Sequence, residues 1–297
     1  MSRLTILAGT AAALLLAAPA LAQTSPDVTP TANAGGAEVG GAGPDLTKDT
    51  ITVGVGAAYV PDYDGSNNYR VVPAPVAVGT YKGFSFTLIG NRLSVNVIPQ
   101  TPGPTWNIEA GPVGVVNFNR TSNSNIDDPR VRALPERDTA IEVGGYVGLS
   151  KTGLITSDYD KLTASVSSRW DVSGNNKSYV VTPSLTYLTP LSLKAAVGLA
   201  ASGSYVGTRY ARYYYGVSAA DSRASGLSVF NPSHNWSSYT LGGFGTYSLT
   251  GNLLHGFKVI AGGTYSRELG QIARSPLISV AGSRNQWIGA AGLAYTF

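Results

Sequence analysis

Cysteine is absent from all 297 residues, which excludes disulfides, thiolate metal sites and a cysteine nucleophile. Charge is scarce as well, at 13% of the chain, far below the level of about a quarter usual in water-soluble domains. After Ala22 no apolar run reaches the roughly 20 residues a helix needs to cross a bilayer, so a polytopic helical membrane protein is excluded. The net charge is only +4 and no block of Lys and Arg stands out, so nucleic acid is not an expected partner. No GxSxG, HExxH, phosphate loop or dinucleotide fingerprint occurs, and neither an enzymatic activity nor a cofactor or metal is expected.

What the chain does hold is glycine, 36 residues, and a 43% hydrophobic share. Residues 1–22 read as a secretory signal peptide: Arg3 supplies the positive start, Leu4 to Ala18 the apolar stretch, and Ala20-Leu21-Ala22 the cleavage site. Residues 23–48, rich in Gly, Ala, Pro and Thr without apolar periodicity, are expected to form a flexible periplasmic leader. The remaining unit is 49–297.

From Thr50 onward apolar and polar residues alternate in segments of about ten, the length a tilted strand needs to span a bilayer. Ile51, Val53, Val55, Ala57 and Tyr59 fall on one face, and Thr52, Gly54, Gly56 and Ala58 on the other. The pattern predicts an all-β transmembrane antiparallel barrel with both termini periplasmic. Its strands are 50–60, 70–81, 84–89, 92–98, 105–118, 139–150, 161–172, 178–188, 192–204, 236–249, 257–267 and 286–297. Between Phe84 and Ile98 the apolar parity switches across Gly90-Asn91, where a hairpin gives twelve strands and a bulge leaves ten. Twelve sends the long connections, 119–138, 205–235 and 268–285, to the outer side, as in porin-type barrels.

Several side chains are candidates for function. Parity directs Glu109, Glu142, Arg169, Asp171 and Lys194 into the lumen, where they line a polar pore or pair into a closed interior. Asp62, Asp64 and Ser66 offer oxygen ligands beside Gly65, although residues of this type also make a solvated turn. Arg209, Tyr210, Arg212, Tyr213 and Tyr214, with Tyr215 beyond, suit contact with sugars, lipopolysaccharide phosphates or a partner protein, and equally suit a cap packed on itself. The two histidines, His234 and His255, fall in or beside connections with no serine and acid next to either. Tyr59, Tyr81, Trp106, Trp170, Tyr187, Trp236, Trp287 and Tyr295 lie near segment ends, as in an aromatic belt, though strands are rich in aromatics anyway. Leu293, Tyr295 and Phe297 share one face of the last strand and look like the signal read by the barrel-assembly machinery.

Beyond periodicity, specific residues resemble the MipA/OmpV family of outer-membrane proteins, the MltA-interacting proteins. They are Val60-Pro61-Asp62-Tyr63-Asp64-Gly65-Ser66, Tyr69-Arg70, Asn119-Arg120, Asp127-Asp128-Pro129 and Glu142-Val143-Gly144-Gly145. Further along come Tyr214-Tyr215-Gly216-Val217, Ser225-Gly226-Leu227, Ser275-Pro276-Leu277, Gly282-Ser283, Asn285-Gln286 and Tyr295-Thr296-Phe297. The resemblance implies an outer-membrane scaffold in contact with lipid and lipopolysaccharide, whose partners are a lytic transglycosylase and a penicillin-binding protein of the murein-synthesising complex. A small-solute channel and a surface adhesin are the alternatives. The Gly/Ala leader is not part of the family pattern, and the family has no catalytic residue to carry over.

Overall fold

The computed structural model describes residues 49–82 and 84–297. The expected signal peptide and leader, 1–22 and 23–48, lie outside the described residues. Strands form where the period-two pattern predicts them: β1 (Thr50–Pro61), β2 (Tyr69–Tyr81), β3 (Phe84–Ile89), β4 (Arg92–Asn96), β5 (Trp106–Asn117) and β6 (Ala140–Thr152). They continue with β7 (Lys161–Asp171), β8 (Tyr179–Pro190), β9 (Ala195–Val206), β10 (Asn235–Ser248), β11 (Gly256–Glu268) and β12 (Asn285–Thr296). All neighbours pair antiparallel in chain order, and β12 returns to β1, closing a twelve-stranded barrel. The parity switch is a hairpin: Ile89 faces Arg92, and Gly90 takes φ +57, a left-handed conformation that glycine adopts without steric cost. At the seam Thr52 faces Thr296 and the Phe297 amide donates to Ile51 O at 2.9 Å, so β1 begins and β12 ends at the same rim.

The alternation sorts the two surfaces. Val55, Ile108, Val147, Leu199, Leu241 and Leu293 stand exposed on the outer face, while Thr163, Ser165 and Ser167 of β7 are buried on the inner one. Aromatic rings gather outside at both rims. Tyr59 stacks on Tyr69 at 5.0 Å and Tyr265 meets Trp287 at 4.8 Å near one rim; Phe257 and Phe297 flank Tyr295, at 4.8 and 4.9 Å, near the other.

Short turns occupy the rim where β1 begins. The opposite rim carries the long connections, which fold into four short helices: α1 (Pro129–Arg132), α2 (Thr208–Tyr215), α3 (Ala219–Ser225) and α4 (Pro276–Ser279). Local chemistry sets their starts. The Asp128 carboxylate accepts from the Arg130 and Val131 amides ahead of Pro129, and Ser218 and Asp221 exchange the reciprocal bonds of a capping box.

One stretch of wall is incomplete. β1 pairs with β2 along its whole length, from Thr50↔Thr80 to Pro61↔Tyr69, whereas β3 pairs with β2 only from Val76 to Tyr81. Tyr69–Ala74 therefore carry a ladder on one flank, because the β3–β4 hairpin stops short of the loop rim.

Candidate functional site

The long connections meet over the mouth of the barrel as a cap. Tyr63 from the β1–β2 loop, Ile126, Val131 and Leu134 from the β5–β6 loop, Val217 and Leu227 from the β9–β10 loop, and Leu277 and Ala281 from the β11–β12 loop form one buried cluster. A second cluster joins Tyr210, Ala211, Tyr214, Tyr215, Ile272 and Ile278 to Val180 and Val206, inward-facing residues at the ends of β8 and β9. Burying a side chain of this size contributes about 1.5–3 kcal/mol, against about 1 kcal/mol for a hydrogen bond. Apolar packing thus holds the cap, and the polar contacts fix its register.

Those polar contacts cross between loops. The Asp62 carboxylate accepts from the Asp127 amide at 3.2 Å, Asp64 accepts from Asn119 Nδ2 at 2.9 Å, and Ser275 Oγ donates to Tyr215 O at 2.7 Å. Arg120 is buried with φ +61, a rare backbone conformation for a side chain of this size, and spreads its guanidinium between Tyr214 O at 3.1 Å and Pro135 O at 3.2 Å. Burial draws the Arg120 pKa down to about 10, so it stays cationic at neutrality, close to the carbonyl end of α2 where the helix dipole favours positive charge. Burial also pushes the Tyr63, Tyr210 and Tyr214 hydroxyls up from the ordinary tyrosine value, and it raises the Asp62 carboxyl against the opposing pull of the Asp127 amide. Asp62, Asp64 and Ser66 do not make the solvated turn their residue types suggest: Asp62 and Ser66 are buried, and both carboxylates are engaged by neighbouring loops. Among the described residues no group of three His, Asp or Glu is arranged to hold a metal.

Below the cap the lumen is two-sided. One wall, β4 to β7, is polar and ionic. Arg169 pairs with Glu142, whose Oε1 accepts from Asn117 Nδ2 at 3.1 Å, and Lys161 lies 2.7 Å from Glu109. Arg92 Nη2 reaches Ser167 Oγ at 3.3 Å, and Asn117 Nδ2 lies 3.4 Å from the Tyr210 hydroxyl, which ties this wall to the cap. The other wall, built from β1, β2 and β9 to β12, buries Lys258 and Glu268 towards the two ends of β11 and between them presents Val72, Ala74, Phe244, Ile260, Ile288 and Ala290 to a cavity of about 250 Å³. Parity places these residues inside without revealing that they are neighbours.

The candidates from sequence distribute accordingly. Glu109, Glu142 and Arg169 are buried on the inner face. Asp171 ends β7 and folds onto the following turn, accepting from the Ser173, Asn176 and Lys177 amides at 2.9, 2.6 and 2.9 Å. Lys194, expected on the inner face, sits instead in the exposed turn before β9, since that strand starts only at Ala195. In α2, Arg209 and Arg212 are exposed, Tyr210 and Tyr214 are buried, and Tyr213 is half-buried with Arg137 over its ring at 4.9 Å. The segment therefore packs inward through its tyrosines and turns its arginines outward. His234 contacts Thr208 at 3.2 Å near the loop rim, while His255 lies edge-on to Tyr295 near the turn rim. Leu293 and Phe297 are exposed on the outer face and Tyr295 is half-buried there between aromatic neighbours.

Many of the residues behind the family resemblance converge on this cap, among them Asp62, Tyr63, Asp64, Asn119, Arg120, Asp128, Tyr214, Tyr215, Leu277 and Ser275. Consistent with that, the model of the family described as MltA-interacting protein MipA matches residues 53–297. The Escherichia coli (strain K12) protein YiaT, named as an outer membrane protein, is 27% identical over 240 residues, covering 78% of this chain and 86% of that one. Among solved structures, the anion-selective porin from Comamonas acidovorans aligns at a TM-score of 0.34 with 10% identity, over 84% of this chain and 99% of the porin. The outer membrane channel DcaP of Acinetobacter baumannii aligns at 0.32 with 11% identity, over 84% and 96%. Overlap this loose carries nothing about transport.

Proposed function

Since the chain belongs to the MltA-interacting protein MipA family of outer-membrane proteins, we propose that it is a non-catalytic scaffold that holds peptidoglycan-remodelling enzymes at the outer membrane. Its partners on this reading are a lytic transglycosylase and a penicillin-binding protein, met at the rim of short turns where β1 begins and β12 ends, which this reading assigns to the periplasmic side. The observation that favours a scaffold over a diffusion pore is the cap. Loops from four connections interlock over the mouth through two buried clusters, and a pore built for passive flux needs a standing aqueous path.

Two measurements decide between the readings. Photo-crosslinking groups placed in the turns at 153–160 and 249–255 are expected to capture a lytic transglycosylase in intact cells, and groups placed on Arg209 or Arg212 are not. Purified protein in planar bilayers is expected to show no conductance steps. Steps without periplasmic capture would assign the barrel to solute passage, and capture of host-surface material at the arginines would assign it to adhesion.

A further inference from the structure

The notch in the wall and the cavity behind it adjoin. The last bond on the open flank of β2 runs from the Gly90 amide to Pro75 O at 2.9 Å, and on the far side Asn91 Nδ2 holds Val116 O at 2.8 Å. Above the hairpin tip no strand pairs with this flank of β2 as far as the loop rim, where the contact of Asn119 Nδ2 with Asp64 at 2.9 Å joins the chain after β5 to the loop before β2. The Gly90 bond shows that the polar groups of residue 75 face the hairpin tip, and strand alternation sends those of residue 73 to the same flank, into the opening above it. Both positions are proline. A strand edge facing hydrocarbon pays several kcal/mol for each unpaired N–H; Pro73 and Pro75 have none, and the next donor on this flank, the Val71 amide, lies nearer the loop rim.

Directly inside lies the cavity of about 250 Å³, bordered by Val72, Pro73, Ala74 and Pro75 on the β2 side and by Ile89 and Asn91 at the hairpin tip. Among the described residues no charged side chain lines it; Asn91 and Thr264 are its polar side chains. On its far wall the Phe244 ring lies against Gly198, where a Cβ would come within 2.3 Å of the ring. An apolar void of about 150 Å³ stays dry and takes up benzene, so a larger one with a side entrance is suited to a longer hydrocarbon. The cap closes the approach from the loop rim, whereas Val71, outward beside the notch, is 68% exposed.

We infer that this cavity binds a single acyl chain of a membrane lipid, which enters sideways through the notch while its headgroup stays outside the barrel. Transfer from bilayer to cavity exchanges one hydrocarbon environment for another. The driving force is then the dispersion attraction between the acyl chain and the close-set apolar walls, which makes occupancy sensitive to cavity shape.

The test uses the full chain reconstituted in phosphatidylcholine vesicles in which a fraction of the lipid carries a diazirine near the end of one acyl chain. Irradiation followed by peptide mass spectrometry is expected to place adducts on inward-facing Val72, Ala74, Ile288 and Ala290 as well as on outward-facing Val71 and Val147. Ala74→Leu with Ala290→Leu, which fills the space, is expected to lower the inward adducts about tenfold and leave the outward ones unchanged. Outward adducts alone in the unaltered protein would overturn the inference whether or not the filled variant folds. So would inward labelling by a free diazirine fatty acid in detergent but not by the phospholipid, because the side entrance would then play no part.

Discussion

The hydroxyl of Tyr63 lies 3.0 Å from the carbonyl oxygen of Leu277 and 3.1 Å from that of Ala281, tying the first loop of the barrel to the last across 214 and 218 residues of sequence. Both carbonyls sit in the buried cluster of the cap. Tyr63→Phe keeps the ring packing and leaves two buried acceptors without this donor, a loss of about 1–2 kcal/mol. The segment 269–284 is expected to become more sensitive to limited proteolysis while the barrel itself stays folded; unchanged cleavage would show that the hydroxyl does not hold the loops together.

Arg120 does for the middle loops what Tyr63 does for the outer two. A lysine has a single ammonium and cannot reproduce the fork between Tyr214 O and Pro135 O. Arg120→Lys is expected to destabilise the cap by about 1–3 kcal/mol, visible as faster amide exchange in α2 of the variant than in α2 of the unaltered protein, with the strands unchanged. Equal exchange in both proteins would remove the clamp.

The Glu142–Arg169 pair is buried on both sides. Removing one partner strands the other charge, at a cost of about 3–5 kcal/mol, whereas replacing both is often nearly neutral. Glu142→Gln and Arg169→Met are each expected to lower the temperature at which the folded form loses its faster gel migration. The double variant is expected to recover most of the loss, and failure to recover would mean the two side chains act independently.

At the opposite rim, Asp160 is buried and accepts the amides of Leu154 and Ile155 at 2.7 and 2.8 Å, that of Thr156 at 2.5 Å, and the Tyr187 hydroxyl at 2.7 Å. Burial alone would raise its pKa, but the hydrogen bonds outweigh it and hold the carboxyl below its ordinary value of 3.8. A depressed folded pKa contributes stability that is fully present above 3.8 and is lost as pH falls through the folded value. Protection of the 154–156 amides against exchange is therefore expected to hold through mild acid and fail only below the usual carboxylate range. Loss already near pH 5 would contradict the assignment.

The cap also predicts what its removal does. Replacing 208–230 by a short Gly/Ser linker is expected to produce conductance steps in planar bilayers where the intact protein shows none, with the strands retained by circular dichroism. Silence from the folded, truncated barrel would mean that closure lies elsewhere in the lumen.

Strand number, strand faces and hairpin positions were legible in the amino-acid pattern because alternation is local. Ile51, Val53 and Val55 declare one face without reference to any other strand, and the parity switch at Gly90-Asn91 marks a turn within a few residues of itself. The same locality marked Glu109, Glu142 and Arg169 as inward-facing, and it failed at Lys194, where a turn, not parity, decides exposure.

What touches what across the barrel was decided only by closure. Tyr210 and Tyr214 face inward because four loops with no shared periodicity meet at one rim, and no rule of spacing links Tyr63 to Leu277. Around the cavity the lumen sets an apolar stretch of wall against an ionic one for the same reason. Alternation tells each residue which side of the sheet it occupies, but curvature, stagger and the shortness of the β3–β4 hairpin choose its neighbours.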